Sequence, residues 1–334
     1  MVEHPMLKFV YPASKPGQFD EVHLFDFMSP ATYSRLKSQG RSGKLMMRSP
    51  PAIPRDHVMD YTPHYATVME VPYRIRDLYG SESYDGRMKY LVALREPVSR
   101  AISSWMYKYD LHRVDPTFPY QKTGRQEQRV FEEAVEEGLQ RSNRLLDCID
   151  RAESEMAMGN DDAGEDGSEH FDLQGVSESK ARRNLSKLDF IKCKPTDFLG
   201  PRLLVAHVAK GLYAVQLRRW FTLFGHENMK VVFLEDVAAD PIGTLKSIFS
   251  FLGMDFIDEE GKKGLPSLEA WKKVVSTSHN EGDQMKKNAL AGQVTPELRR
   301  RLEEFYAPQN AALEELLGVP LPKEWVTSSS KASA

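Results

Sequence analysis

Short apolar runs alternate with longer segments of helical spacing along this chain of 334 residues. Strands are predicted at residues 21–27, 89–95 and 230–235, and the last two are apolar enough to be buried on both faces of a parallel sheet. Helices are predicted at 97–109 and 241–252, each beginning at a proline. This alternation of strand and helix predicts a doubly wound α/β fold.

Helical spacing also marks 128–150 and 201–225. Near the C-terminus, a threonine and a proline at 295 and 296 predict the start of a helix over 295–317. We expect this helix to be broken near Pro308, because proline lacks the backbone N–H that a helix interior uses.

One segment differs from its surroundings in charge. Residues 152–172 carry eight acidic side chains and no lysine or arginine, and a basic stretch follows. Such a composition predicts a solvated, partly disordered insertion, which we place at 151–194. Residues 326–334 are predicted to be a disordered tail, which leaves 1–325 for one folded domain.

The overall composition excludes several classes of protein. Lys and Arg number 45 against 48 Asp and Glu, a net charge of −3, so nucleic acid is not an expected partner. Two cysteines are too few for a disulfide scaffold or a Cys-rich zinc module. The chain shows no apolar run of about 18 residues that could span a membrane, no targeting segment and no set of residues at metal-ligand spacing.

The strongest chemical signal is the predicted strand and helix at 89–109, KYLVALREPVSRAISSWMYKY. In α/β proteins the carboxyl end of a parallel strand, followed by a helix N-terminus, binds anions through free backbone N–H groups. Arg95 would add a two-pronged contact to a phosphate, and Ser99 and Ser103 lie on one helical face. For an isolated motif, an arginine paired with a carboxylate and serines exposed on the helix are the more usual case.

The pattern RxPxxRAxSxW at 95–105 resembles the 3′-phosphate-binding segment of the sulfotransferases that use 3′-phosphoadenosine 5′-phosphosulfate (PAPS), and particularly the Golgi heparan-sulfate and carbohydrate enzymes. Further blocks resemble this family in the same order, at 59–65, 210–225, 231–253 and 305–318. The resemblance implies a P-loop-like, three-layer fold with a central parallel sheet flanked by helices. It also implies transfer from PAPS without a metal, with Arg95 and Ser103 holding the 3′-phosphate.

A second candidate group lies in the first predicted strand. Strand alternation places Glu21 and His23 on one face, and the family has K-E-x-H-F-F-D at this place. The resemblance implies that Glu21 is the general base, with His23 and Asp26 in support. The chain departs from the family pattern in having Asp20 for the lysine and a leucine for an aromatic residue. A purely structural role remains open for His23.

The family's loop for the 5′-phosphosulfate, P-K-(S/T)-G-T-(S/T), has no match in the chain. The nearest strings, at 15–17 and 40–44, do not join a strand to a helix. His4 and Pro5 stand where the family has a dipeptide downstream of that loop. We therefore expect that the chain begins just after the loop; the alternative is a degenerate member that binds PAPS or glycan without transferring sulfate.

Cys148 and Cys193 flank the acidic insertion, and either a disulfide or two separate buried thiols would suit them. The resemblance implies a Golgi-lumenal glycoprotein with an N-terminal membrane anchor that the chain does not contain. Asn184 begins a glycosylation sequon. The expected acceptor is a hydroxyl, or in second place an amine, of a glycan. The resemblance also implies an acceptor cleft lined by basic residues, which would suit an anionic glycan, while solvated surface charge is the more usual role of any single one. These residues are Lys37, Arg41, Lys44, Arg48, Arg74, Arg76 and Arg87.

Overall fold

The computed structural model describes residues 7–9, 57–59, 65–68, 71–109, 127, 129–158, 193, 206–254, 267–276 and 284–325. Within them, four strands form two parallel pairs. Strand β1 (Leu7–Phe9) pairs with β2 (His57–Met59). Strand β3 (Tyr90–Leu94) pairs with β4 (Met229–Phe233), with Val92 opposite Val231. The predicted strand at 21–27 lies outside the described residues.

Nine α-helices accompany these strands in the described part of the chain. They are α1 (Val71–Tyr79), α2 (Pro97–Lys108), α3 (Phe131–Met158), α4 (Tyr213–Phe224), α5 (Leu234–Ala239), α6 (Pro241–Phe251), α7 (Leu268–Ser276), α8 (Gln284–Leu290) and α9 (Pro296–Leu317). Short 3-10 turns occupy Gly80–Ser83, Ala209–Gly211, His226–Asn228, Ala291–Gln293 and Lys323–Trp325. Parallel strands joined through helices confirm the predicted α/β fold.

The chain divides into two compact units, one of Met1–Arg95, Leu217–Glu281 and Pro322–Glu324, the other of the remaining residues. The first unit contains β3 and β4. The ring of Tyr90 on β3 stacks on Phe224, with centroids 4.3 Å apart, and meets Trp220 edge-on at 5.5 Å. These aromatic contacts hold the start of β3 against α4.

The second unit has its core where α2, α3 and α9 pack together. Trp105 of α2 and Phe131 of α3 are fully buried, with ring centroids 5.0 Å apart. Leu302 and Tyr306 of α9 belong to the same cluster. Apolar residues at helical spacing on each of the three helices therefore form a shared buried cluster that fixes α2.

Helix α9 corrects one expectation. It runs without interruption from Pro296 to Leu317 and contains Pro308. Tyr306 and Leu313 are both buried, so packing on either side of the proline stabilises the helix through the position where one backbone hydrogen bond is missing. The predicted helix start is confirmed, since the Thr295 hydroxyl accepts a hydrogen bond from the backbone N–H of Leu298 at 3.2 Å.

Two other boundaries differ from the predictions. Strand β4 ends at Phe233, and the residues after it begin α5 rather than extending the strand. Helix α3 continues to Met158, so the first residues of the predicted acidic insertion are helical. Helix α3 opens with Glu132 and Glu133 in its first turn, where negative charge favours a helix.

A disulfide joins Cys148 of α3 to Cys193, with 5.8 Å between their Cα atoms. Of the two alternatives left open by the sequence, the disulfide is therefore the observed one. Cys193 packs in a small apolar cluster with Leu145 and Leu212. In the described residues, no helix is both long and apolar enough to cross a membrane.

Candidate functional site

The predicted strand-to-helix junction at residue 95 is present. In β3 the side chains of Tyr90 and Leu94 are buried, and Arg95, the next residue, is exposed. Pro97 begins α2 two residues later, because its fixed backbone angle suits the first position of a helix. The chain thus turns from strand to helix immediately after presenting an arginine to solvent.

The start of α2 differs from the expected anion site. The carboxylate of Glu96 accepts hydrogen bonds from the backbone N–H groups of Val98, at 2.7 Å, and Ser99, at 2.6 Å. We expected free N–H groups to attract a phosphate here, but an internal carboxylate already binds two of them. Any phosphate bound near this junction must therefore depend on side chains.

Ser103 lies on the accessible side of α2. Its side chain is exposed, whereas Ala101, Ile102 and Trp105 are buried. Ser99, four residues earlier on the same face, is half-buried. Arg95 and Ser103, the two predicted phosphate ligands, are therefore each open to solvent.

Ser104, the residue after Ser103, belongs to a hydrogen-bond network that extends into the protein interior. The hydroxyl of Ser104 lies 2.8 Å from Nδ1 of His207, and Nε2 of the same ring lies 3.2 Å from a carboxylate oxygen of Glu127. The side chains of His207 and Glu127 are each 3% exposed. Polar groups this deeply buried are stable only when they are hydrogen-bonded to one another.

Arg129 is the last member of this hydrogen-bond network. Its guanidinium binds both carboxylate oxygens of Glu127, at 2.9 Å through Nε and at 2.5 Å through the terminal nitrogen, and it also pairs with Glu137 of α3. Burial by itself would raise the pKa of Glu127, but the hydrogen bonds from His207 and Arg129 outweigh it and hold that pKa well below its ordinary value. Glu127 is therefore ionised at neutral pH.

His207, in contrast, is neutral. Burial lowers its pKa, and although Glu127 acts in the opposite direction, the nearby positive charges of Lys210 and Arg100 add to the lowering. A neutral ring beside an ionised carboxylate carries its proton on Nε2, so that Nε2–H donates to Glu127. Nδ1 is then the acceptor for the Ser104 hydroxyl.

A second set of bonds ties α2 to the same stretch of chain. Arg100, one helical turn before Ser104, donates to the backbone carbonyl of His207. The hydroxyl of Tyr306 donates to the carbonyl of Val208 at 2.6 Å. Burial raises the pKa of Tyr306, so its hydroxyl remains a donor. Residues 207 and 208 are thus held from both α2 and α9.

The sequence did not single out Ser104, Glu127, Arg129 or His207. Arg100 and Ser104 are four residues apart, which placed two polar groups on the helix face that also carries buried Ala101 and Trp105, and this was the available signal. Their partner lies more than 100 residues away in the chain, a distance over which spacing patterns carry no information.

The remaining predicted site residues, Glu21, His23 and Asp26, lie outside the described residues, and so does the basic group at 37–48. Among the other basic candidates, Arg87 forms an exposed ion pair with Asp85 at 2.5 Å, and this hydrogen-bonded arginine lowers the pKa of Asp85. Such a pair is a common feature of protein surfaces.

The chain matches the family model described as "Sulfotransferase domain" over residues 76–306. That segment includes β3, α2, β4 and the first half of α9, and therefore both Arg95 and Ser103.

Similar curated proteins are carbohydrate sulfotransferases. Carbohydrate sulfotransferase 15 of Mus musculus is 29% identical over 107 residues, which are 32% of this chain and 17% of that protein. The protein of that name from Nototodarus sloanii is 30% identical over 103 residues, 31% of this chain and 58% of the relative. The matched segments thus span only part of each relative.

Among solved structures, a sulfotransferase from Alicyclobacillus acidocaldarius is similar over 96% of this chain and 89% of its own, with 20% identity and a TM-score of 0.49. The family match rests on the sequence model, which spans more than half of the chain. The chain belongs to the sulfotransferase domain family.

Proposed function

We propose that this protein transfers a sulfuryl group from PAPS to a hydroxyl, or in second place an amine, of a glycan. The observation that carries this proposal is the sulfotransferase domain match over residues 76–306, which includes the junction between β3 and α2. The names of the curated relatives, carbohydrate sulfotransferases, support a glycan as acceptor.

In this proposal Arg95 and Ser103 bind the 3′-phosphate of PAPS. Both side chains are exposed, and a guanidinium can form two parallel charge-assisted hydrogen bonds to a phosphate. The N–H groups of Val98 and Ser99 are bound by Glu96, so side chains carry the recognition. A 3′-phosphate distinguishes PAPS from ordinary adenine nucleotides, and these two residues would supply that selectivity.

The reaction is an in-line displacement at sulfur. The acceptor oxygen forms a bond to sulfur while the bond from sulfur to the 5′-phosphate oxygen breaks, leaving 3′-phosphoadenosine 5′-phosphate (PAP). We propose that the Glu21 carboxylate takes the proton of the acceptor hydroxyl, with His23 and Asp26 orienting it. These three assignments come from the family resemblance, and the step requires no metal.

We also propose that the protein works in the Golgi lumen or elsewhere in the secretory pathway. The disulfide between Cys148 and Cys193 supports this, because disulfides persist in oxidising compartments and are rare in the cytosol. Glycans are built and sulfated in that pathway, which is consistent with the proposed acceptor. Glycosylation at Asn184 belongs to the same proposal.

Titration calorimetry with PAP tests the donor site. We expect wild type to bind PAP, and Arg95→Ala to weaken binding about tenfold or more, since a charge-assisted hydrogen bond contributes about 1.5–3 kcal/mol. Arg300→Ala is the matched control, because Arg300 is an exposed arginine paired with Glu297 on α9. No binding by wild type, or equal losses in both variants, would contradict the proposal.

A transfer assay tests the chemistry. Radiolabelled PAPS is incubated with wild type and with mixed chondroitin and heparan chains, and label in the glycan is counted. Glu21→Gln should reduce transfer by at least about a hundredfold, the usual contribution of a general base, while PAP binding is retained. PAP binding without any transfer by wild type would instead favour a catalytically inactive binding protein.

A further inference from the structure

The hydrogen bonds that run from Arg129 through the buried side chains of Glu127 and His207 end at Ser104, one residue from Ser103. Successive residues on a helix point about 100° apart. When the Ser104 hydroxyl is held 2.8 Å from Nδ1 of His207, the rotation of α2 about its axis is fixed. The direction of the Cα–Cβ bond that carries the exposed Ser103 hydroxyl is fixed with it.

His207 makes two separate attachments to α2. Its ring binds Ser104, and its backbone carbonyl accepts from Arg100, one turn earlier on the helix. The two bonds are about 6 Å apart along the helix axis, at 1.5 Å per residue. Two attachments at that separation oppose both rotation and sliding of α2, which a single bond would not do.

The other end of this hydrogen-bond network, at Arg129, is also fixed by several hydrogen bonds. The guanidinium of Arg129 makes a bidentate interaction with the Glu127 carboxylate and forms an ion pair with Glu137 on α3. The indole N–H of Trp105, on α2, donates to the backbone carbonyl of Arg129 at 3.0 Å. The network therefore starts on α3 and returns to α2, and its members are joined to one another by hydrogen bonds that any movement would break.

A contribution to the stability of the fold does not by itself explain why the protein has such a network. Apolar packing by Val98, Ile102 and Trp105 already holds α2 in the core. Replacing a buried ionic network with apolar residues of similar volume is often neutral or stabilising, whereas a network fixes one geometry. A fixed geometry is useful where a neighbouring side chain must meet a ligand.

We propose that His207 is a positioning residue, which through Ser104 sets the direction of the Ser103 hydroxyl toward the 3′-phosphate of the sulfuryl donor. This inference rests on the proposed function. Glu127 and Arg129 support His207 from the other side. None of the three side chains contacts the ligand, so their effect on binding passes through Ser103.

A double-mutant cycle on PAP affinity tests this dependence. We expect Ser103→Ala to weaken PAP binding about tenfold, equivalent to about 1.4 kcal/mol. Ser104→Ala and His207→Ala should each weaken it about threefold to tenfold in the wild-type background. In the Ser103→Ala background both should change it less than twofold, because the hydroxyl that they orient is gone.

Two further measurements separate positioning from folding. His207→Gln keeps an amide that can donate to Glu127, and should regain part of the affinity that His207→Ala loses. Titrations are run well below the melting temperature of each variant, and Ser154→Ala, an exposed helix serine on α3, serves as the control for a lost serine hydroxyl.

The outcomes distinguish the inference from the proposed function. If wild type binds no PAP, or Ser103→Ala binds as wild type does, the donor site and this inference both fail. If Ser103→Ala weakens binding but the His207 and Ser104 variants bind as tightly as wild type, only the inference fails. It also fails if those variants lose the same factor in both backgrounds, since independent structural damage is additive.

Discussion

Gly211 and Tyr306 pack so closely that a β-carbon on residue 211 would lie 2.7 Å from Cε1 of the tyrosine ring. The two residues come from separate sequence blocks, one preceding α4 and the other in the middle of α9. The ring cannot move aside easily, because it is 1% exposed and its hydroxyl is bonded to the carbonyl of Val208. The position of the Tyr306 ring therefore leaves no room for a side chain at residue 211.

Gly211→Ala should therefore destabilise the protein. A methyl group forced into a closely packed site costs about 1–3 kcal/mol, which urea denaturation followed by tryptophan fluorescence would measure. Gly292→Ala is the matched control, since a β-carbon there meets nothing within 4 Å, and its stability should stay within about 0.5 kcal/mol of wild type. Equal stability of the two variants would show that Tyr306 can shift.

The disulfide gives a second prediction. Cys148 and Cys193 close a loop with a sequence separation of 45, and removing such a link costs about 2–4 kcal/mol through the entropy of the unfolded chain. Reductant should lower the urea midpoint of wild type by a corresponding amount. The double variant Cys148→Ala, Cys193→Ala should have the lower urea midpoint both with and without reductant. If reductant also lowers the midpoint of this variant, the effect does not come from the disulfide.

The sequence predicted those features that depend on neighbours in the chain. The apolar run before Arg95 and the proline at 97 were sufficient to predict β3 and α2. The predicted break at Pro308 was wrong, because here contacts distant in sequence decide the structure. Burial of Tyr306 and Leu313 outweighs the low intrinsic helix propensity of proline. Tertiary packing decided that case, and one sequence carries no direct record of it.

The candidate site divides in the same way. Arg95 and Ser103 follow from a local pattern, whereas the bonds between Ser104, His207 and Glu127 join residues 103 and 80 positions apart. The Glu96 cap is local but was missed, since serine, threonine, aspartate and asparagine are the usual capping residues. Recognising it requires the observed approach of the carboxylate to the two N–H groups.

The buried histidine predicts how stability depends on pH. Burial places the pKa of His207 in the folded protein below its value in the unfolded chain, 6.5. As the pH falls below that value the unfolded chain takes up the proton first, so stability decreases. Wild type should lose up to about 2 kcal/mol between pH 6.5 and pH 5, on the basis of about 1.4 kcal/mol per pKa unit.

His207→Gln should lose that part of the pH dependence, and urea denaturation at pH 7.5 and pH 5 would measure it. Glu127 does not interfere in this window, because its pKa is lowered from an ordinary value of 4.5 and its contribution is lost only at more acidic pH. Identical pH dependence in wild type and His207→Gln would mean that the pKa of His207 is the same in the folded protein as in the unfolded chain.

The Glu96 cap leads to a prediction that separates the two ways in which α2 could bind an anion. Glu96→Ala removes a carboxylate beside Arg95 and releases the N–H groups of Val98 and Ser99. Helix capping by this side chain should be lost at a cost of about 1 kcal/mol of stability. PAP binding should nevertheless become about threefold tighter, since free N–H groups and the helix dipole favour an anion by about 0.3–1 kcal/mol.

Calorimetry on Glu96→Ala and Glu96→Gln, at one ionic strength, would measure the change in affinity. The glutamine keeps an acceptor oxygen for one N–H group but has no charge, so it should show only the part of the gain that comes from removing the carboxylate. Weaker PAP binding by a folded Glu96→Ala variant would contradict the prediction. It would show that the cap, by holding the first turn of α2 in place, contributes more to the direction of Arg95 and Ser103 than its negative charge costs.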